Sequence, residues 1–374
     1  MSDTAFYPVH GRPAWSRLLL TREMAIVALL VLVVSVAMGS VQGFADTQTV
    51  YNILRNFLVN LLIALPMCLV MITGDIDISV GSMVGLSCSL LGVLFRAGVP
   101  FEFAAIIVIG VGALGGLLNG VLVTRIGLPS LAVTIGTLAL FRGLAVGMLG
   151  TSTVTKFPKG WTDLTKAAIG GSGIPRTIVV FLVLLAVFVY LLHFSAFGRG
   201  IFAIGLNAQA AAFSGVNVAR TRTILFVLTG AVSALGGVYW TLLRGVARGD
   251  LGTGLELQVI AAVVLGGVSV FGGVGALYGV VAGVLLVSVL SNALQLVGVT
   301  ADVINVITGV LLIASVVVGS LLAWIQTRRT RSAAADADGK RGSGKYAAAE
   351  VGEPLPSTIR AARRGSGSSK GNTP

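Results

Sequence analysis

Residues 25–35, 106–123 and 280–290 are almost continuously apolar, and runs of that kind have few places to go. A transmembrane β-barrel is written as segments of about ten residues that alternate apolar and polar, which these runs do not. They read as helices buried in lipid, where every backbone polar group is satisfied within the segment. The rest of the chain agrees. Of 374 residues, 55% are hydrophobic and 11% charged, with a mean hydropathy of +0.96, whereas soluble domains carry roughly 25% charged residues. At roughly 20 residues per crossing, the hydrophobic content allows about ten spans. Ten candidates are found, at about 24–43, 57–73, 80–95, 103–124, 130–149, 177–193, 222–243, 257–270, 275–297 and 303–325. The expected fold is an all-α polytopic membrane protein with about ten transmembrane helices, some of them short or broken.

The flanks set organisation and orientation. Residues 1–23 hold Arg12, Arg17 and Arg22 ahead of the first span, and Arg328, Arg329 and Arg331 follow the last. Basic residues favour the cytoplasmic side, so both termini are expected there. The membrane-spanning body is 24–325. From 326 to 374 the chain is rich in Ala, Gly, Ser, Lys and Arg and too poor in large apolar residues to fold. This tail reads as a solvated cytoplasmic segment drawn toward anionic membrane lipid. It supplies half of the net charge of +12, so a pI near 10.4 does not imply a nucleic-acid partner.

Several chemistries have no residues to carry them. Cys68 and Cys88 lie in apolar stretches, as small hydrophobes do. The two histidines form no cluster with metal-ligand spacing. There is no GxxxxGK[ST] phosphate loop, and no paired nucleophile and base. Neither a metal nor a bound cofactor is expected in the chain.

Residues 112–122 and 275–285 match at seven of eleven positions and carry glycines four apart: Gly112, Gly116, Gly120 and Gly275, Gly279, Gly283. Small residues at that spacing let membrane helices pack closely. Five spans separate the copies, an odd offset, so the second crosses in the opposite sense. That is the pattern of inverted-topology repeats, in which a substrate path lies between the halves.

Two further segments stand out. In Gly74-Asp75-Ile76-Asp77-Ile78-Ser79-Val80-Gly81-Ser82, two carboxylates sit between apolar runs with no basic residue nearby in sequence. Carboxylates at membrane depth are costly and point to function. Alternatively, Asp77 and Ser79 cap the helix that follows. Between residues 194 and 221, an alanine-rich centre has Asn207 placed to start a short helix and Gly215 to stop it. Such a helix is either a connection or a docking element.

The 74–82 block resembles the permease subunits of bacterial ABC importers for ribose, xylose, rhamnose, autoinducer-2 and related sugars. So do Asn119-Gly120 with Leu128-Pro129-Ser130 through Thr137 and Arg142-Gly143-Leu144. So also do Gly198-Arg199 with Ala203 through Asn207 and Ala210-Ala211, and the 261–269 block. The blocks stand in family order over about 24–325. The resemblance implies transport of a monosaccharide such as ribose, rhamnose or xylose across the inner membrane, by a non-catalytic subunit. It implies three partners besides lipid: a cytoplasmic ABC ATPase that holds ATP-Mg, an extracytoplasmic sugar-binding protein, and a second permease copy in a homo- or heterodimer. The segment 198–217 would be the coupling element, with Gly198, Arg199, Asn207, Ala210, Ala211 and Gly215. Asp75, Asp77, Ser79, Asn119, Thr134 and Arg142 would wet the path, although Arg142 could equally snorkel to an interface. No tight sugar site is expected in the permease, because the binding protein holds specificity and few polar groups are at hand. Two departures are visible: Asp75 is an extra charge, and Ala208-Gln209 stands where the family often has an acidic pair. Permeases for autoinducer-2, nucleosides or branched-chain amino acids are the nearer alternatives. An ion-coupled secondary transporter is the more distant one, disfavoured because acidic residues sit near span ends.

Overall fold

A computed structural model describes residues 22–170 and 172–317, with side chains from 26 onward. The expectations for most of 1–23, for the end of the last span and for the 326–374 tail fall outside these residues. Helices α1 (Arg22–Ser40), α2 (Thr47–Ile72), α3 (Val80–Arg96), α4 (Phe101–Thr124) and α5 (Ser130–Leu149) follow one another through short turns. A longer connection holds β1 (Val154–Thr155) and α6 (Lys159–Lys166). Helix α7 (Ile178–Val189) runs into a π-helical turn at Tyr190–Phe194, and after a 64° bend α8 (Ala196–Leu206) continues to the short α9 (Ala208–Phe213). Then come α10 (Val218–Arg244), β2 (Val246–Ala247), α11 (Leu255–Leu265), α12 (Leu277–Leu296) and α13 (Ala301–Val317).

A helix stands at each of the ten expected spans. Five of them, α2, α4, α5, α10 and α12, are long and apolar enough to cross a bilayer alone, and the bent α7–α8 unit makes a sixth candidate. Helices α3, α11 and α13 are shorter apolar elements, as is the apolar part of α1 at Ile26–Ser40. Helix α2 begins ten residues before the expected start at 57. The polar residues Asn52, Arg55 and Asn56 read as loop, but Arg55 turns inward, donating to the Leu243 carbonyl at 3.1 Å and lying over the Tyr51 ring. Two strands of two residues each accompany the all-α bundle. Val154 and Thr155 pair with Ala247 and Val246, tying the α5–α7 connection to the end of α10.

Every residue of α2 from Phe57 to Ile72 is buried, which places this helix at the centre. Around it, α4, α5 and α7 turn large apolar side chains outward, among them Phe103, Ile106, Leu114, Val180 and Leu182. Water would oppose that arrangement, and lipid favours it.

Glycine sets the closest helix approach. A side chain at Gly112 or Gly116 would overlap the backbone of Gly230 or Phe226, and one at Gly120 would press on Thr223, so the whole stripe seats α4 against α10. In the second copy a side chain at Gly283 would overlap the α11 backbone at Ala262, and Gly266 packs on the backbone of Gly279 and Val280. Gly275 departs from the expected stripe. It precedes α12, whose N-cap is Ala276, and faces the Ile72 side chain instead.

The two halves, α2–α5 and α10–α13, exchange contacts. The first helix of each packs on the third helix of the other, α10 on α4 and α2 on α12, and the first also packs on the other half's second, α10 on α3 and α2 on α11. These four packings map onto one another when the halves are swapped, as an internal two-fold requires.

Overpacking the glycine seam should cost about 1–3 kcal/mol. Gly116→Ala is expected to lower the thermal midpoint of the purified protein by several degrees. Gly143→Ala, whose added methyl meets nothing within 4 Å, should leave it unchanged or slightly higher. Equal midpoints for the two variants would contradict the close α4–α10 packing.

Candidate functional site

The bend after α7 has its own local logic. Ser195 caps α8, its Oγ accepting from the Gly198 amide at 3.0 Å, and Gly198 lies so close to the Leu192 carbonyl that no side chain fits. Asn207 then starts α9, its Oδ1 accepting from the amides of Gln209 and Ala210, each at 3.0 Å. Gly215 ends this stretch at φ +88°, a left-handed conformation that glycine adopts without strain. Arg199 and Ala210 are exposed, and Ala211 is buried. Three large apolar side chains at this end had gone unremarked in the sequence: Leu206, Phe213 and Phe271, exposed by 75%, 93% and 80%. A lone phenylalanine in a short polar-flanked helix was the available signal.

This surface is joined to the centre by backbone contact. Gly205 of α8 abuts the Ile72 carbonyl and Gly273, and the Gly273 amide donates to that same carbonyl at 2.8 Å. One residue further along, the turn out of α2 is tied to α10. Arg222 Nε lies 3.0 Å from Asp75 Oδ2, Arg222 Nη2 donates to the Thr73 carbonyl at 3.4 Å, and the Thr73 hydroxyl donates to Asp75 Oδ2 at 3.2 Å. No basic residue stands near Asp75 in sequence. Its carboxylate is buried against a guanidinium that is distant in sequence.

The remaining residues of the 74–82 block converge around the same break. Asp77 Oδ1 accepts from the Ser79 amide at 2.9 Å and from its hydroxyl at 2.6 Å, and Asn119 Nδ2 of α4 donates to Ser79 Oγ at 3.0 Å. Ser79 occupies the N-cap position of α3, but its side chain caps no amide of that helix. Asn119 Oδ1 is buried with no protein partner. On α5 the Thr134 hydroxyl donates to the Ile76 carbonyl at 3.2 Å, and Ser130 Oγ accepts from the Ile76 amide at 3.4 Å. Asp75, Asp77, Ser79, Asn119 and Thr134 thus share one buried break between α2 and α3.

Arg142 lies deeper along α5 and serves the second break, between α10 and α11. Its Nη1 donates to the carbonyls of Gly249 at 3.1 Å and Leu251 at 2.9 Å, and its Nη2 to Gly81 of α3 at 3.4 Å. It therefore points inward and does not snorkel. Gly81 and Gly252 meet here with no room for a side chain, so the starts of α3 and α11 touch across the two halves.

At the opposite end of α10 lies a polar feature the sequence reading overlooked. Asn52, Asn56 and Asn60 of α2 face Ser288, Asn292 and Gln295 of α12 across two adjoining cavities of about 220 and 170 Å³. The signal was present: each triplet has helical spacing, 52/56/60 and 288/292/295. Among the described residues no three His, Cys, Asp or Glu side chains cluster closely enough to hold a metal ion.

Comparison with known proteins fits this arrangement. Residues 49–316 match the family described as the permease component of the branched-chain amino acid transport system. The chain belongs to that family, and it is a multi-pass inner-membrane permease component of an ABC-type importer. The autoinducer 2 import system permease protein LsrD of Yersinia enterocolitica serotype O:8 is 37% identical over 321 residues, spanning 82% of this chain and 96% of the relative. The protein of the same description from Yersinia pestis strain Pestoides F is 36% identical over 327 residues, spanning 84% and 97%. No solved structure matches the chain.

Removing one partner from a buried ion pair costs about 3–5 kcal/mol, because the other charge is stranded. Arg222→Gln should therefore destabilise the purified protein markedly, and Asp75→Asn added to it should recover much of the loss. A double-mutant cycle on thermal unfolding that gives no coupling would contradict the pair.

Proposed function

We propose that the chain is the translocating subunit of an importer powered by a separate cytoplasmic ABC ATPase, in which ATP-Mg is bound and hydrolysed. A single observation carries this reading. The segment 198–217 presents exposed apolar side chains, Phe213 above all, on a short helix whose base is in backbone contact with the end of α2. An apolar group that protrudes by 93% at the polar end of a membrane bundle suits burial in a partner. Pressure on α8 and α9 would reach the Asp75–Arg222 tie and the start of α3 without crossing any flexible linker.

In this reading the termini and segment 198–217 face the cytoplasm, and the 326–374 tail lies against anionic lipid. The other end receives substrate from an extracytoplasmic binding protein. A second permease copy, identical or related, completes the translocation unit, and no nucleic acid takes part. The substrate is a monosaccharide such as ribose, rhamnose or xylose. Autoinducer 2 is the second reading, favoured by what the relatives are described as importing.

The test is uptake of labelled ribose, rhamnose, xylose and autoinducer 2 into proteoliposomes holding this chain with its ATPase and binding protein. Uptake should require ATP and both partners. Phe213→Asp should cut it about tenfold or more, which is at least ~1.4 kcal/mol of lost coupling, and should release the ATPase on purification while the protein stays in the membrane. Uptake by this chain alone, driven by an ion gradient, would overturn the proposal.

A further inference from the structure

We infer that the amide-lined cavities between α2, α10 and α12 are a substrate site within the permease itself, shaped for a small neutral polyhydroxylated ligand. The inference rests on the importer reading and adds to it a site that the binding protein does not supply.

The lining has a consistent chemistry. Asn52, Asn56, Asn60, Asn292 and Gln295 all carry carboxamides. Gln258 of α11 and Asn305 of α13 add two more to the second cavity. A carboxamide offers donors and an acceptor from one group, which matches a hydroxyl that also donates and accepts. Gln258 Nε2 donates to Asn305 Oδ1 at 3.3 Å and Asn52 Oδ1 accepts from Gln48 Nε2 at 3.4 Å, and the remaining hydrogen-bonding capacity of such groups in a membrane bundle is expensive to hold unless something meets it. Two of the lining side chains, each more than nine-tenths buried, have no protein partner: Asn292 Oδ1 and Ser288 Oγ. Asn292 lines the first cavity and Ser288 the second. Trp240 lines the second cavity, and an aromatic wall there suits the apolar C–H surface of a sugar ring. Small-molecule sites combine a few placed polar groups with apolar and aromatic walls in roughly 300–1,000 Å³, a range the two adjoining cavities reach together.

Charge narrows the class. Arg55 and Arg244 line the first cavity and no carboxylate does, so a protonated amine or a metal cation is repelled and meets no charged ligand. Arg55 is already engaged by the Leu243 carbonyl and the Tyr51 ring. One guanidinium is left among seven amides, which favours hydroxyl recognition over a dedicated anion clamp. The cavities also lie at the end of α10 away from segment 198–217, where a ligand released by an external binding protein would arrive.

The test is equilibrium binding of labelled ribose, rhamnose and xylose to the purified permease–ATPase complex without binding protein, with glucosamine and gluconate as cationic and anionic probes. At least one neutral sugar should bind saturably, glucosamine should not, and gluconate should bind more weakly. Gln295→Ala, at the exposed rim, and Asn292→Leu, in the buried wall, should each raise the half-saturating concentration about fivefold or more. The rim variant keeps the test decisive if the wall variant fails to fold. Absence of saturable sugar binding, unchanged binding in both variants, or preference for gluconate would overturn the inference. ATP-driven uptake measured on the same preparation with binding protein separates the outcomes: if uptake persists while binding fails, the site is wrong and the importer reading stands.

Discussion

Backbone polar groups that leave a helix inside a membrane must find partners in the protein, and this bundle breaks two of its helical paths in the interior. Between α2 and α3, Arg222, Ser130 and Thr134 supply those partners to residues 73–76. Between α10 and α11, Arg142 supplies them to Gly249 and Leu251. Each break belongs to one half of the internal repeat. Each is held in part by α5, and the two meet where Gly81 and Gly252 leave no room for side chains. The short helices α3 and α11 start from this junction, so anything that moves one break is felt by the other.

In the proposed importer, a route from the ATPase to the path would follow those contacts. Segment 198–217 touches the end of α2 through Gly205. The adjacent turn is clamped to the start of α10 by Asp75 and Arg222, and α10 is locked onto α4 by the glycine seam. Rigid contacts of this kind transmit displacement between discrete arrangements better than they absorb it. A nucleotide-bound ATPase can shift such an equilibrium only by binding its two states unequally. The exposed faces of Phe213 and Leu206 are where that difference would be applied.

Much of this was legible in the sequence, for identifiable reasons. Spans are written as local apolar runs, so each of the ten was found close to its helix. The Asn207 start and Gly215 stop rely on neighbours two or three residues away. The 112–122 stripe was read correctly as a glycine pattern, although its partner residues Phe226 and Gly230 could not be named. What escaped depends on distant contacts. The partner of Asp75 lies beyond seven intervening helices, α3 to α9. The first turns of α2 look like loop because their polar face is solvated by a cavity and not by bulk water. Gly275 matched the repeat by sequence, yet Ala276 is extended and starts α12 after it. The 154–155 and 246–247 strands are two residues each, too short for any alternation to show.

The central claim is that nucleotide-driven movement at segment 198–217 reaches the polar cavities at the other end through the two tied breaks. Cys68 and Cys88 are fully buried, so a single thiol introduced as Ser291→Cys, on the cavity wall, reports alone. Its labelling by a membrane-impermeant reagent applied from the side opposite the ATPase should differ about tenfold between the nucleotide-free and nucleotide-trapped complex. The same labelling rate in both states, in a complex that still imports, would contradict the account.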